Sequence, residues 1–170
     1  MEGKCLATRE MPPEEKYGRL LEQYLLYQLA NYTLVKELGA TDRYYDLLVK
    51  VNKKMLPSLL RVAFKAIQTL APSRAFNQLV DDFTYTSQMY LPLGNVEVDR
   101  SSESEAIIKV NNCPALRKMK EIVKKTGLGI DPVELCEFEG RMFRELADGM
   151  GVNLTSQVQK NGCSLTAVLK

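Results

Sequence analysis

The fold is decided by Asn95-Val96-Glu97-Val98-Asp99-Arg100-Ser101-Ser102-Glu103-Ser104-Glu105-Ala106-Ile107-Ile108-Lys109-Val110-Asn111-Asn112-Cys113-Pro114. Asn95 to Asp99 alternate between polar and apolar, Ala106 to Val110 alternate again, and the polar run Arg100 to Ser104 separates them. A two-residue period puts apolar side chains on one face of a strand, so the stretch reads as a β-hairpin. Pro114 restricts Cys113 to extended backbone and suits the first turn of a helix. A chain whose first half is patterned as helices therefore also carries strands.

On the N-terminal side the pattern is helical. Pro12-Pro13 followed by Glu14 and Glu15 opens a helix, with acids at the positive end of its dipole. Tyr17, Leu20, Leu21, Tyr24, Leu25, Gln28, Leu29, Tyr32, Val35 and Leu38 recur at helical spacing up to a stop at Gly39. Thr41 or Asp42 caps a second helix whose apolar stripe runs from Tyr45 and Leu48 to Leu59 and Ile67, with a kink or break at Pro57. After a turn at Ala71-Pro72-Ser73, a third helix runs from Arg74 to about Tyr90 and ends at Leu91-Pro92-Leu93-Gly94.

On the C-terminal side, Leu116, Met119, Ile122 and Val123 mark a helix stopped by Gly127. Asp131-Pro132-Val133-Glu134 opens the next one, which continues to about Asp148. Leu154–Val158 and Ser164–Leu169 alternate around Lys160-Asn161-Gly162, and Asn-Gly is the strongest two-residue hairpin signal. The order of three helices, hairpin, two helices, hairpin predicts an α+β architecture, with a four-stranded antiparallel sheet and helices packed on it. One domain is expected over 1–170, comprising a flexible arm at 1–13, a helical half at 14–93 and an α/β half at 94–170.

Composition narrows the function classes. Hydrophobic residues make up 45% and charged residues 26%, an ordinary globular balance. The formal net charge of +2, with basic residues spread along the helices, argues against a nucleic-acid partner. No apolar run approaches the ~20 residues of a membrane span, and the polar N-terminus shows no secretory h-region, so a cytoplasmic location is expected. Histidine and tryptophan are absent. That removes Ser-His-Asp and Cys-His nucleophile pairs, His-rich zinc sites and HExxH chemistry. Gly127-Leu128-Gly129 follows a helix and is a cap, not a dinucleotide fingerprint.

The candidate site residues are Cys113, Cys136 and Cys163, each at a junction of the C-terminal half. Cys163 is in phase with Leu165, Ala167 and Leu169 on an apolar strand face. Cys136 is in phase with Gly140, Phe143 and Ala147. Cys113 lies at a helix N-terminus, where free amides favour a thiolate. Converging, the three thiols would make a soft-metal site, zinc by default, or a reactive-thiol site; separately, each is a small buried apolar side chain. A fourth ligand would come from an acid, water or substrate, and Glu134 and Glu137 are near in sequence. Cys5 reads as an incidental thiol of the arm. The eight tyrosines all lie in the helical half, where core packing, a pocket lining or a dimer face would use them.

Val110-Asn111-Asn112-Cys113-Pro114, Leu135-Cys136-Glu137 with Phe143, and Lys160-Asn161-Gly162-Cys163-Ser164-Leu165 resemble two related groups. One is the 4-vinyl reductase domain, a small-molecule or hydrocarbon-binding module; the other is the L-2-amino-thiazoline-4-carboxylate hydrolase-like group. The element order is also similar to the fold that 4-vinyl reductase domains share with subunits of the vesicle transport-protein particle. The likeness covers about residues 95–170. The cysteine usual on the first strand of the last hairpin is missing here, where Thr155, Ser156 and Gln157 stand. The resemblance implies a domain that takes a small apolar ligand or a soft metal, with Cys113, Cys136 and Cys163 as ligands in the metal version. The alternatives are a hydrolase of a small cyclic C–N or C–S substrate using Cys113 as nucleophile, and a non-catalytic homodimer joined through the tyrosine-rich helices.

Overall fold

The computed structural model describes residues 11–55, 68–87 and 96–170. Helix α1, Pro13–Glu37, has proline in its first turn and Glu14 and Glu15 beside it, and closes before Gly39 at φ 63°. Helices α2, Thr41–Met55, and α3, Pro72–Ser87, follow. Pro72 is the first residue of α3 and not part of a preceding turn, because the fixed φ of proline suits that position. The arm up to residue 10 with Cys5, the break at Pro57, the stripe from Leu59 to Ile67, and the stretch from Tyr90 through the stop at Leu91–Gly94 to Asn95 lie outside the described residues.

Strands β1, Val96–Ser102, and β2, Glu105–Val110, form the first hairpin. Arg100 to Ser102, expected in the loop, continue β1 through a register shift between Asp99 and Ser102. This is an edge strand exposed to solvent at that end, so backbone pairing needs no apolar alternation there. Helix α4, Pro114–Thr126, closes on Gly127 in the left-handed conformation at φ 71°. Helix α5, Pro132–Asp148, is capped by the Asp131 carboxylate, which accepts the Val133 amide at 2.9 Å. Strands β3, Val152–Gln159, and β4, Gly162–Leu169, complete an antiparallel sheet of order β1-β2-β4-β3. The fold is α+β, as the sequence pattern predicts.

The last hairpin turns on Lys160 and Asn161, with Gly162 already paired to Gln159. The expected hairpin forms, and among the described residues only Asn112 is a non-glycine with positive φ, so Lys160 and Asn161 turn without left-handed backbone. Gly162 serves a different need. A Cβ there would stand 1.9 Å from the Val110 carbonyl oxygen, so only glycine lets the end of β2 pass this close. The Cys113 amide then donates to the Asn161 carbonyl at 2.8 Å, tying the start of α4 to the hairpin.

Two apolar cores result. One joins α1, α2, α4 and α5 through Leu29, Tyr32, Tyr45, Leu116, Met119 and Phe138. Phe138 packs edge-on against Tyr32 and Tyr45 and stacks on Tyr44, at ring separations of 5.1–5.9 Å, which is where part of the tyrosine content goes. The other core lies under the sheet, where Phe76 and Val80 of α3 and Ala147 of α5 meet Ala106, Ile108, Val152, Leu154, Leu165 and Ala167. Along the inward sheet face, Val152, Leu154 and Ala167 are buried while Ser156, Val158 and Cys163 are only half-buried. The packing opens at that end. Among the described residues no helix is long and apolar enough to cross a membrane.

Candidate functional site

The opening is a cavity of about 570 Å³ at the junction of the two cores. That volume falls in the ~300–1,000 Å³ range of small-molecule sites. Its wall draws on Tyr24, Gln28 and Tyr32 of α1, Tyr44 and Asn52 of α2, and Phe83 of α3. Met119 of α4, Glu139, Gly140 and Phe143 of α5, and Ser156 of β3 add to it. Cys113, Cys136 and Cys163 all line this one cavity.

Each thiol arrives there for a local reason. Cys113 is the N-cap of α4, and its Sγ accepts the Leu116 amide at 3.4 Å. Cys163 is paired with Val110 on one side and Val158 on the other, so it shares their inward face. Cys136 sits in the first turns of α5, one helical turn from Gly140. A Cβ on Gly140 would stand 2.7 Å from Ser156 Oγ, so this glycine lets α5 lie close against β3.

Burial acts on the Cys136 and Cys163 thiols. Burial pushes the Cys136 thiol up to about 12, and the charges of Glu139, Cys113 and Cys163 add to the rise. Burial also pushes Cys163 up to about 11, with a smaller contribution from Cys113. Both are thiols, not thiolates, near neutral pH. Among the described residues, no group of three or more cysteine, aspartate or glutamate side chains is arranged to hold a metal ion.

The acid in the cavity is neither of the two named from the sequence. Glu134 pairs with Lys36 across α1 and α5, and Glu137 is exposed. Glu139 lines the cavity, and burial alone pushes its carboxyl up to about 7. Among the described residues no hydrogen bond or ion pair reaches that carboxyl. Glu139 is half-buried and lines the cavity. The signal was present in the sequence: Glu139 lies three residues after Cys136 and four before Phe143, inside the stripe Cys136, Gly140, Phe143, Ala147. A charge in an apolar helical stripe breaks the pattern where function commonly does.

Of Thr155, Ser156 and Gln157, Ser156 is the one on the cavity wall; Thr155 and Gln157 are exposed. A second, wholly apolar cavity of about 130 Å³ lies under the sheet, between α3 and α5. Phe83 and Phe143 line both, edge to face at 5.6 Å and 89°, and form the partition between them. No family model, no curated protein and no solved structure matches the chain. The chemistry of the site is therefore carried by its own residues.

Proposed function

We propose that this protein binds a small, largely apolar molecule in the cavity at the junction of its two cores. The observation that carries the reading is the cavity itself: about 570 Å³, its described residues chiefly aromatic and aliphatic, with few polar groups and one carboxyl among them. The three cysteines belong to that wall as small, polarisable apolar groups. A zinc-bound form has less support, because among the described residues no group of three cysteine, aspartate or glutamate side chains is arranged to hold an ion.

The test is binding of a neutral solvatochromic dye to the full chain, compared with Ala115→Phe, which puts a ring into the cavity from the first turn of α4. Saturable binding lost in the variant supports the reading. No binding, or equal binding to both proteins, refutes it. Elemental analysis of the purified protein decides the metal version, since a stoichiometric ion would restore it.

One further observation favours self-association. Leu20, Tyr24, Tyr27, Asn31, Leu34 and Leu38 follow an alternating four–three spacing along α1, the seam of a two-helix coil. Leu20, Tyr27, Leu34 and Leu38 are 65%, 69%, 55% and 71% exposed. The seam spans about 20 Å from Leu20 to Leu34, and a polar residue inside it, here Asn31, is a known device for setting register. A second copy of the chain is the partner that fits. Sedimentation would give a dimer that Leu20→Glu with Tyr27→Glu converts to monomer; a monomeric parent protein removes this reading and leaves the cavity untouched.

A further inference from the structure

Among its described residues the cavity wall carries one acid and no cationic side chain, neither lysine nor arginine, and the chain has no histidine. A carboxylate taken out of water without a partner is unfavourable by several kcal/mol, so an unpaired acid in an apolar wall needs an explanation. An anionic ligand would add a second negative charge to the same space.

The neutral polar groups point the same way. Gln28 donates an amide hydrogen to the Tyr24 hydroxyl at 2.8 Å. Asn52 gives its amide hydrogens to the Leu48 carbonyl at 2.9 Å and to Met142 Sδ at 3.6 Å. Both amide hydrogens of Asn52 and one of Gln28 are thus engaged, and each side chain retains its carbonyl oxygen as an acceptor. Aromatic faces complete the surroundings, from Tyr32, Tyr44 and Phe138 on one side to Phe143 and Phe83 on the other. Carbonyl oxygens, ring faces and the one carboxyl among the described lining residues suit a positively charged head that donates hydrogen bonds, and the hydroxyls of the wall can turn to accept from it.

Resting on the small-molecule reading above, we propose that the ligand is an apolar molecule with a single amine head: the ammonium pairs with Glu139 while the apolar body lies along Phe143 toward the Phe83 partition. Phe143 is one helical turn beyond Glu139, about 6 Å along the axis, so head and body contacts come from the same face of α5. The other titratable groups among the described lining residues are Tyr24 and Tyr32 of α1, Tyr44 of α2, Cys113 at the start of α4, Cys136 on α5 and Cys163 of β4. None of these described groups carries a positive charge, and in this proposal the ligand supplies it. Binding an amine therefore draws a proton off Glu139, and affinity rises as pH rises through about 7.

The experiment displaces a neutral solvatochromic dye from the full chain with n-octylamine, n-octanol and n-octanoate, at pH 5.5 and at pH 8. An alkylamine stays protonated across that range. The expected result is that octylamine binds roughly 10- to 100-fold tighter than octanol at pH 8, the range for a hydrogen bond to a charged group. That preference shrinks at pH 5.5 and is lost in Glu139→Gln, while octanol binds both proteins alike. Equal affinities for octylamine and octanol at pH 8, or a preference for octanoate, overturn the proposal; in that case retained dye binding leaves the cavity reading standing. Absence of dye binding removes both. Should Glu139→Gln fail to fold, the pH dependence of the unmodified protein decides: a preference unchanged between pH 5.5 and pH 8 refutes the pairing.

Discussion

Replacing Glu139 with glutamine should change how stability depends on pH, by an amount that follows from the site. The carboxyl stands at about 7 in the folded chain against an ordinary 4.5, and the cause is burial. A raised acid binds its proton more tightly when folded, so between the two values the native state holds more protons than the unfolded state. Stability is then fully present below about 4.5 and is lost as pH rises through about 7. The gap of about 2.5 units, at 1.36 kcal/mol each, is about 3 kcal/mol. Glutamine keeps the shape and does not ionise. Urea denaturation of both proteins from pH 4 to pH 8 would measure the difference, with other titrations common to the two cancelling. The unmodified protein should lose about 3 kcal/mol relative to Glu139→Gln across that interval, about 6–12 °C in melting temperature for a chain of this size. A difference that stays constant with pH would mean that the carboxyl is solvated, and the picture of an acid in an apolar wall would fall.

Native Cys136 and Cys163 should be alkylated slowly at pH 8, since burial holds them at about 12 and about 11, and all four cysteines should react together once guanidinium unfolds the chain. Rapid modification of either in the native protein, mapped by mass spectrometry, would contradict that protection. Gly162→Ala puts a methyl 1.9 Å from the Val110 carbonyl and should destabilise by more than about 3 kcal/mol, read as loss of soluble protein or a large drop in urea midpoint. Removing the α5 cap with Asp131→Ala should cost about 1 kcal/mol without altering dye binding, because Asp131 lies outside the cavity wall.

Much of the fold is legible residue by residue. Proline with acids opens α1, the Asp131-Pro132 pair opens α5, Gly127 closes α4, and two alternating segments set each hairpin. These signals are local: they act through φ, through caps, or through a period that a strand or helix must obey. Details decided by neighbours were misplaced. β1 runs on through Arg100 to Ser102 because β2 pairs with it, and the glycine of Asn161-Gly162 is needed for the approach of Val110 and not for the turn.

The site divides along the same line. Sequence alone determined which cysteines lie at the ends of elements and on inward faces, because face and position are properties of a single helix or strand. Tertiary packing decided that Cys113, Cys136 and Cys163 share one cavity, that Glu139 is its acid while Glu134 pairs with Lys36, and that two cores leave space at their junction. A cavity is a relation between elements distant along the chain. Its volume depends on how closely α5 can approach β3 at Gly140 and Ser156, a distance set only once both have folded.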